Sequence, residues 1–317
     1  MLKKSFTALA LCVVSGLSLA GNLTVYSAGP NNLITALAQD YQAATGVRVQ
    51  VFQGTTGQVM SRLEAERRNP IADVVISASW DSAVDLKQQG LLAPLRLANT
   101  AQVPDSLKDS HYIAQGVSAL SMVFNTQSGL PQPEDWLDVT AAVYRDQVTM
   151  PDPAQSGAAF ELLSALLTAK GEDATWDFFA TMKQNRMIVP GPNARALNPV
   201  LQGAKAVVFG AVDYIALGHQ ARGESIEVIF PSSGTVIAPR PMMVLASSRQ
   251  QDRAMDFVDF VLSEAGQARV AEVYLMPART DIEGLRPGMN DLNIIHIDEN
   301  LSQQRQDLIN RFRSIMD

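Results

Sequence analysis

The stretch Leu23–Ser77, LTVYSAGPNNLITALAQDYQAATGVRVQVFQGTTGQVMSRLEAERRNPIADVVIS, decides the fold. Leu23 to Ser27 reads as a strand. Asn31 to Thr45 reads as a helix, with Leu33, Ile34, Leu37, Ala38 and Tyr41 on one face at helical spacing. Gly46 ends it, since glycine enters left-handed backbone without steric cost. Val47, Val49 and Val51 alternate with polar residues, as along a strand. Gly54-Thr55-Thr56-Gly57 turns the chain into a helix that runs to Glu66, and Asp73 to Ser77 reads as a buried strand. Strand, helix, strand, helix, strand predicts a mainly parallel sheet covered by helices.

Upstream, residues 1–20 read as an export signal. Lys3 and Lys4 supply the positive start, Phe6 to Leu19 the apolar run, and Ser18 and Ala20 the small-x-small pattern before a cut after Ala20. The run is short for a span, which needs about 20 apolar residues. A periplasmic location follows. The single cysteine, Cys12, lies inside that leader, preceded by Leu11 where lipidation wants a small residue. The mature chain then carries no thiol, and so no disulfide, thiolate metal site or cysteine nucleophile. Loss of Lys3 and Lys4 takes the net charge from -7 to -9. An acidic chain without a basic cluster excludes nucleic acid as a partner.

Downstream, Ser82 to Gln89 reads as a short helix closed by Gly90. Ser118 to Asn125 reads as a strand leaving a first lobe. Strands over Val148 to Met150 and Ala206 to Phe209, and helices over Ala158 to Ala169 and Trp176 to Lys183, build a second. An apolar strand over Thr235 to Leu245 returns to the first, which helices Ala254 to Leu262 and Glu264 to Val273 complete, followed by an amphipathic tail over Asn300 to Met316. The expected division is 21–116 plus 240–317 for lobe one and 117–239 for lobe two. Two crossings make a hinge with a cleft suited to closing on a small ligand.

The Leu23–Ser77 stretch resembles the opening lobe of the periplasmic ferric-ion-binding proteins of ABC importers. MPDPAQSGAAFELL (150–163) resembles their anion loop, GAKAVVFGAVDYIALG (203–218) their ligand segment, and AMDFVDFVLSEAGQARVAEV (254–273) their closing helices. The resemblance covers nearly the whole mature chain. It implies a two-lobed type II periplasmic binding protein fold, a membrane permease as partner, and a protein working as a single copy. The iron chemistry does not carry over. Ferric members use two adjacent tyrosines plus a His and a Glu; the corresponding positions here are Asp213-Tyr214, Pro30 and Ala78. Two ligands make a poor cage for hard Fe(III), so no metal and no cofactor is expected. GESIEVIFPSSGTVIAPRPMM (223–243) and YLMPAR (274–279) look closer to the branch that carries hexose phosphates or aminophosphonates.

Thr55, Thr56 and Gly57 open one predicted helix and Gln155, Ser156 and Gly157 another in the opposite lobe; each set reads as an anion cradle or as an ordinary cap. Ser27, Ala28 and Gly29 read as cleft lining. Ser79-Trp80 sits at a cleft edge, where the indole would stack on a ligand or pack between elements. Asp213 suits hydroxyls or an amine, and Tyr214 adds a phenol. Arg240, between two prolines, would grip an anion or neutralise an acidic neighbour. These residues describe capture of a small anionic organophosphate or phosphonate. A ferric carrier and a ligand-sensing subunit are the alternatives. Catalysis is not expected: His111, His219 and His296 show no metal-ligand spacing, and Ser156 lacks the G-x-S-x-G frame.

Overall fold

The computed structural model describes residues 22–298, 301 and 304–317, so the export signal expected over residues 1–20 lies outside the described residues. β1 (Leu23–Ser27), α1 (Asn31–Thr45), β2 (Val49–Gln53), α2 (Thr56–Ala65), β3 (Val74–Ile76) and α3 (Trp80–Gln88) follow the order read from the sequence. Gly46 closes α1 in left-handed backbone at φ 75°. β1 pairs in parallel with β2 and β3.

β4 (Tyr112–Asn125) is a fully buried strand that serves both lobes. Lobe two adds β5 (Val148–Thr149), α4 (Gly157–Lys170), α5 (Glu172–Gln184), α6 (Asn193–Leu201), β6 (Val207–Val212), α7 (Asp213–Ala221) and β7 (Ile226–Ile229). β8 (Ile237–Val244), α8 (Gln251–Val261), α9 (Glu264–Glu272) and β9 (Met276–Pro277) return to lobe one, and α10 (Arg305–Met316) ends the chain.

The sheet is less parallel than expected. β8 runs antiparallel to both β3 and β4, and β4 runs antiparallel to β6 and β7. The cause is the crossing itself: β4 leaves lobe one and β8 enters it, so the two lie side by side in opposite directions. β6 also passes the residue expected to end it. Gly210 takes φ +74° at a register shift opposite β4, and a Cβ there would lie 2.4 Å from Leu162 Cδ2, so the bulge needs glycine.

Two large cores lie on either side of the crossing. Leu33, Ile34, Leu37, Val74 and Ile76 pack with Phe257 and Val258 of α8 in one. Phe124, Trp136, Phe160, Phe179 and Phe209 anchor the other. The tail corrects the expected lobe boundary. Leu308, Ile309, Phe312 and Met316 of α10 join the second core, with the Phe312 ring edge-on to Phe179 at 5.0 Å. Their helical spacing makes one apolar stripe, and α5 of lobe two supplies the surface that covers it.

Candidate functional site

The ladder between β4 and β8 opens at one place. Ala114 pairs Pro241 and Val117 pairs Pro239, leaving Gln115-Gly116 out of register opposite Arg240. The flanking prolines have no N–H to give, so the strand can bulge there and redirect its side chains. Arg240 is 1% exposed. Its Nη1 donates to the Ala28 carbonyl at 3.3 Å, its guanidinium lies 5.0 Å from the Tyr214 ring centre, and its Nε has no partner. No carboxylate pairs with it among the described residues. Beside it, the buried Gln115 Oε1 also lacks a partner.

The β1–α1 loop meets this point. Ser27 is buried, and its Oγ accepts from the Gly29 N–H at 3.1 Å; Gln53 Nε2 donates to the Gly29 carbonyl at 2.7 Å. A cavity of about 400 Å³ is lined by Gly29, Pro30, Asn32, Tyr214, His219 and Tyr274, bridging lobe one to α7. A larger one of about 580 Å³ opens between α2 and α3, with Thr56, Leu63, Asp85, Leu86, Leu91 and Arg305 in its wall.

The helix starts singled out in the sequence are brought together at the lobe junction. Thr55 caps α2, accepting from Gln58 N at 3.2 Å while Gln58 Oε1 accepts from Thr55 N at 2.9 Å. That capping box consumes Thr55 locally. Thr56 is buried, and its hydroxyl has no partner. Ser156 caps α4, accepting from Ala159 N at 3.2 Å and from Asn193 Nδ2 at 2.9 Å. Asn193 Oδ1 is buried without a partner. Gln155 donates to Asp152 at 2.8 Å. Gly57 and Gly157 are where the lobes touch: a Cβ on Gly57 would lie 2.7 Å from the Ala154 carbonyl, and one on Gly157 2.5 Å from the Ala78 carbonyl.

Two expected ligand contacts are otherwise engaged. Asp213 is fully buried, and its carboxylate accepts from Ala119 N at 2.8 Å, from Tyr214 N at 2.7 Å and from the Arg286 guanidinium. Burial pushes its carboxyl above the usual range while Arg286 pulls it down. The pair is enclosed on both sides, so Asp213 serves Arg286 and the hinge strand, not a hydroxyl or amine in the cleft. Trp80, half-buried, packs edge-on against Tyr112 at 4.9 Å. Ser79 and the Trp80 N–H face Glu161 of α4.

Sequence reasoning missed Gln115, Glu161, Asn193 and Arg286. Glu161 left a trace, a lone carboxylate inside the apolar run AAFELLSALL; Arg286 left none. Of Pro30, Ala78, Asp213 and Tyr214, compared above with ferric ligands, only Asp213 and Tyr214 carry a metal-binding group. Among the described residues, no three His, Cys, Asp or Glu side chains gather as a metal site. No described helix is long and apolar enough to cross a membrane.

The putative 2-aminoethylphosphonate-binding periplasmic protein of Salmonella typhimurium is 24% identical over 273 residues, covering 82% of this chain and 80% of its own. The Fe(3+)-binding periplasmic protein of Serratia marcescens is 27% identical over 255 residues, covering 77% and 75%. The structure of AfuA from Actinobacillus pleuropneumoniae, with exogenous fructose-6-phosphate bound, matches with a TM-score of 0.86 at 23% identity over 93% of this chain and 98% of its own. That likeness establishes a shared two-lobed fold. The family model for bacterial extracellular solute-binding proteins matches residues 69–294, and this chain belongs to that family.

Proposed function

We propose that the protein is the periplasmic solute-binding component of an ABC importer and that its cargo is a small anionic organic solute, a sugar phosphate or phosphonate, handed to a membrane permease. The observation that carries this reading is Arg240: a buried guanidinium at the lobe crossing with a free Nε and no carboxylate partner among the described residues. A buried cation without a counter-ion is costly, and an anion in the cleft would offset that cost. Gln115 Oε1, in the opened stretch of ladder opposite Arg240, offers an acceptor for a hydroxyl on the same solute. A relative named for 2-aminoethylphosphonate and a neighbour with fructose-6-phosphate bound point the same way.

Ferric iron fits less well. Asp213 is held by Arg286, and Pro30 and Ala78 offer no side-chain ligand. A guanidinium beside the remaining pair opposes a trivalent cation. Native mass spectrometry of the protein purified without added ligand, followed by release and mass analysis of the cargo, tests the assignment. A phosphorus-containing solute is expected. Stoichiometric iron with a tyrosinate absorption band would overturn it.

A further inference from the structure

The two lobes also meet at the start of α3, and the group that joins them belongs to the protein. Glu161 lies in the middle of an apolar turn of α4, between Phe160 and Leu162, and is 3% exposed. Its Oε1 accepts from the Trp80 N–H at 3.1 Å and from Ser79 Oγ at 3.4 Å, both on lobe one. Ser79 stands at the cap position of α3 but makes no side-chain cap bond to that helix. The N–H groups of a helix start need an acceptor, and lobe two supplies one. Arg305, at the start of α10, completes the arrangement. Its guanidinium lies 4.1 Å from the Phe160 ring centre, and its Nη2 donates to the Pro153 carbonyl at 3.3 Å.

We propose that Glu161 is a positioning residue that clasps the lobes: its carboxyl accepts from the α3 start across the junction, holding the lobes together without solute and keeping that helix end from the solute's own anion. The inference goes beyond the assigned cargo class and does not rest on it. Opening the lobes would return Glu161 and the α3 start to water. The charged groups acting on Glu161 are Asp81 of α3, which repels it, and Arg305 of α10, which attracts it. Asp85 of α3 acts on Arg305 in turn. Burial, reinforced by Asp81, pushes the Glu161 carboxyl up from 4.5 to about 8. A carboxyl raised by closing takes up a proton as the lobes shut, so closing is favoured at low pH and weakens as pH rises from about 5 to about 8.

The test uses the mature chain stripped of solute. Fluorophores on lobe one and lobe two report the interlobe distance by energy transfer, and small-angle scattering reports overall compactness. The wild type is expected to lose closed population as pH rises through that window. Glu161→Gln keeps the acceptor oxygen without the charge, so it should stay closed at every pH. Glu161→Ala removes the acceptor and should cut the ratio of closed to open forms about tenfold at low pH. A wild-type distance that does not change with pH, or an alanine variant as closed as wild type, would overturn the proposal. Because no solute is present, that failure is distinct from a failure of the cargo assignment, which only binding measurements can show.

Discussion

Replacing Arg240 by alanine separates a ligand-gripping arginine from a structural one. In the structure this side chain makes one long hydrogen bond, 3.3 Å to the Ala28 carbonyl, and lies over the Tyr214 ring at 5.0 Å. Losing those contacts costs about 1 kcal/mol, the scale of one weak hydrogen bond or one cation–π contact. Removing a buried charge without a counter-ion returns a similar amount. The solute-free variant should therefore unfold within about 1 kcal/mol of wild type, read by urea denaturation. Binding should respond very differently. Truncating one side of a buried, hydrogen-bonded charge pair costs about 2–5 kcal/mol, which is roughly 30- to 5,000-fold in Kd. Isothermal titration with fructose 6-phosphate and with 2-aminoethylphosphonate measures it, and the ligand-induced rise in Tm should shrink in parallel. An Arg240→Ala protein that binds these two ligands as tightly as wild type, or that loses several kcal/mol of stability with affinity unchanged, would refute the reasoning.

The glycines at the lobe junction make a second prediction: Gly157→Ala places a methyl 2.5 Å from the Ala78 carbonyl, so the lobes should fail to close fully and affinity should drop at least tenfold. Its solute-free melting should stay near wild type; a variant that binds normally would show that the junction yields. Asp213→Ala leaves the buried Arg286 without its carboxylate and should cost about 3–5 kcal/mol in urea unfolding; a loss below about 1 kcal/mol would mean Arg286 finds water instead. For His219, desolvation and Arg222 lower the imidazole pKa. A base lowered on folding stays neutral in the native state, so its contribution to stability is present above pH 6.5 and is lost as pH falls below it. Nuclear magnetic resonance titration of His219 should show the depressed midpoint, and an ordinary midpoint would contradict it.

Local order was legible because local physics sets it. The apolar face of α1, the left-handed Gly46 and the helix starts at Thr56 and Gly157 follow from spacing and capping within a few residues. The order of elements through the first lobe up to α3 followed from the same patterns. What could not be read was set by distant partners. Nothing in LRPGM announces that Arg286 will meet Asp213, a pair separated by 73 residues. The α6 and β7 segments carry no clear sequence signal: Pro199 sits inside the first, and the second is four residues long with no alternation of burial. The tail was read correctly as an amphipathic helix but assigned to the wrong lobe, since a stripe of Leu308, Phe312 and Met316 says that a surface will cover it without saying which. At the site, Thr56 and Ser156 drew notice as caps, whereas Gln115 was invisible until the bulge opposite Arg240 turned it inward.

The placement of α10 has a practical use. β1 starts at Leu23 in the first core, while Phe312 and Met316 are bound into the second. Asn22 and Asp317, the two ends of the described residues, therefore lie on opposite lobes. A donor fluorescent protein joined at Asn22 and an acceptor joined at Asp317 would therefore report a change in the distance between the lobes, with no insertion inside either.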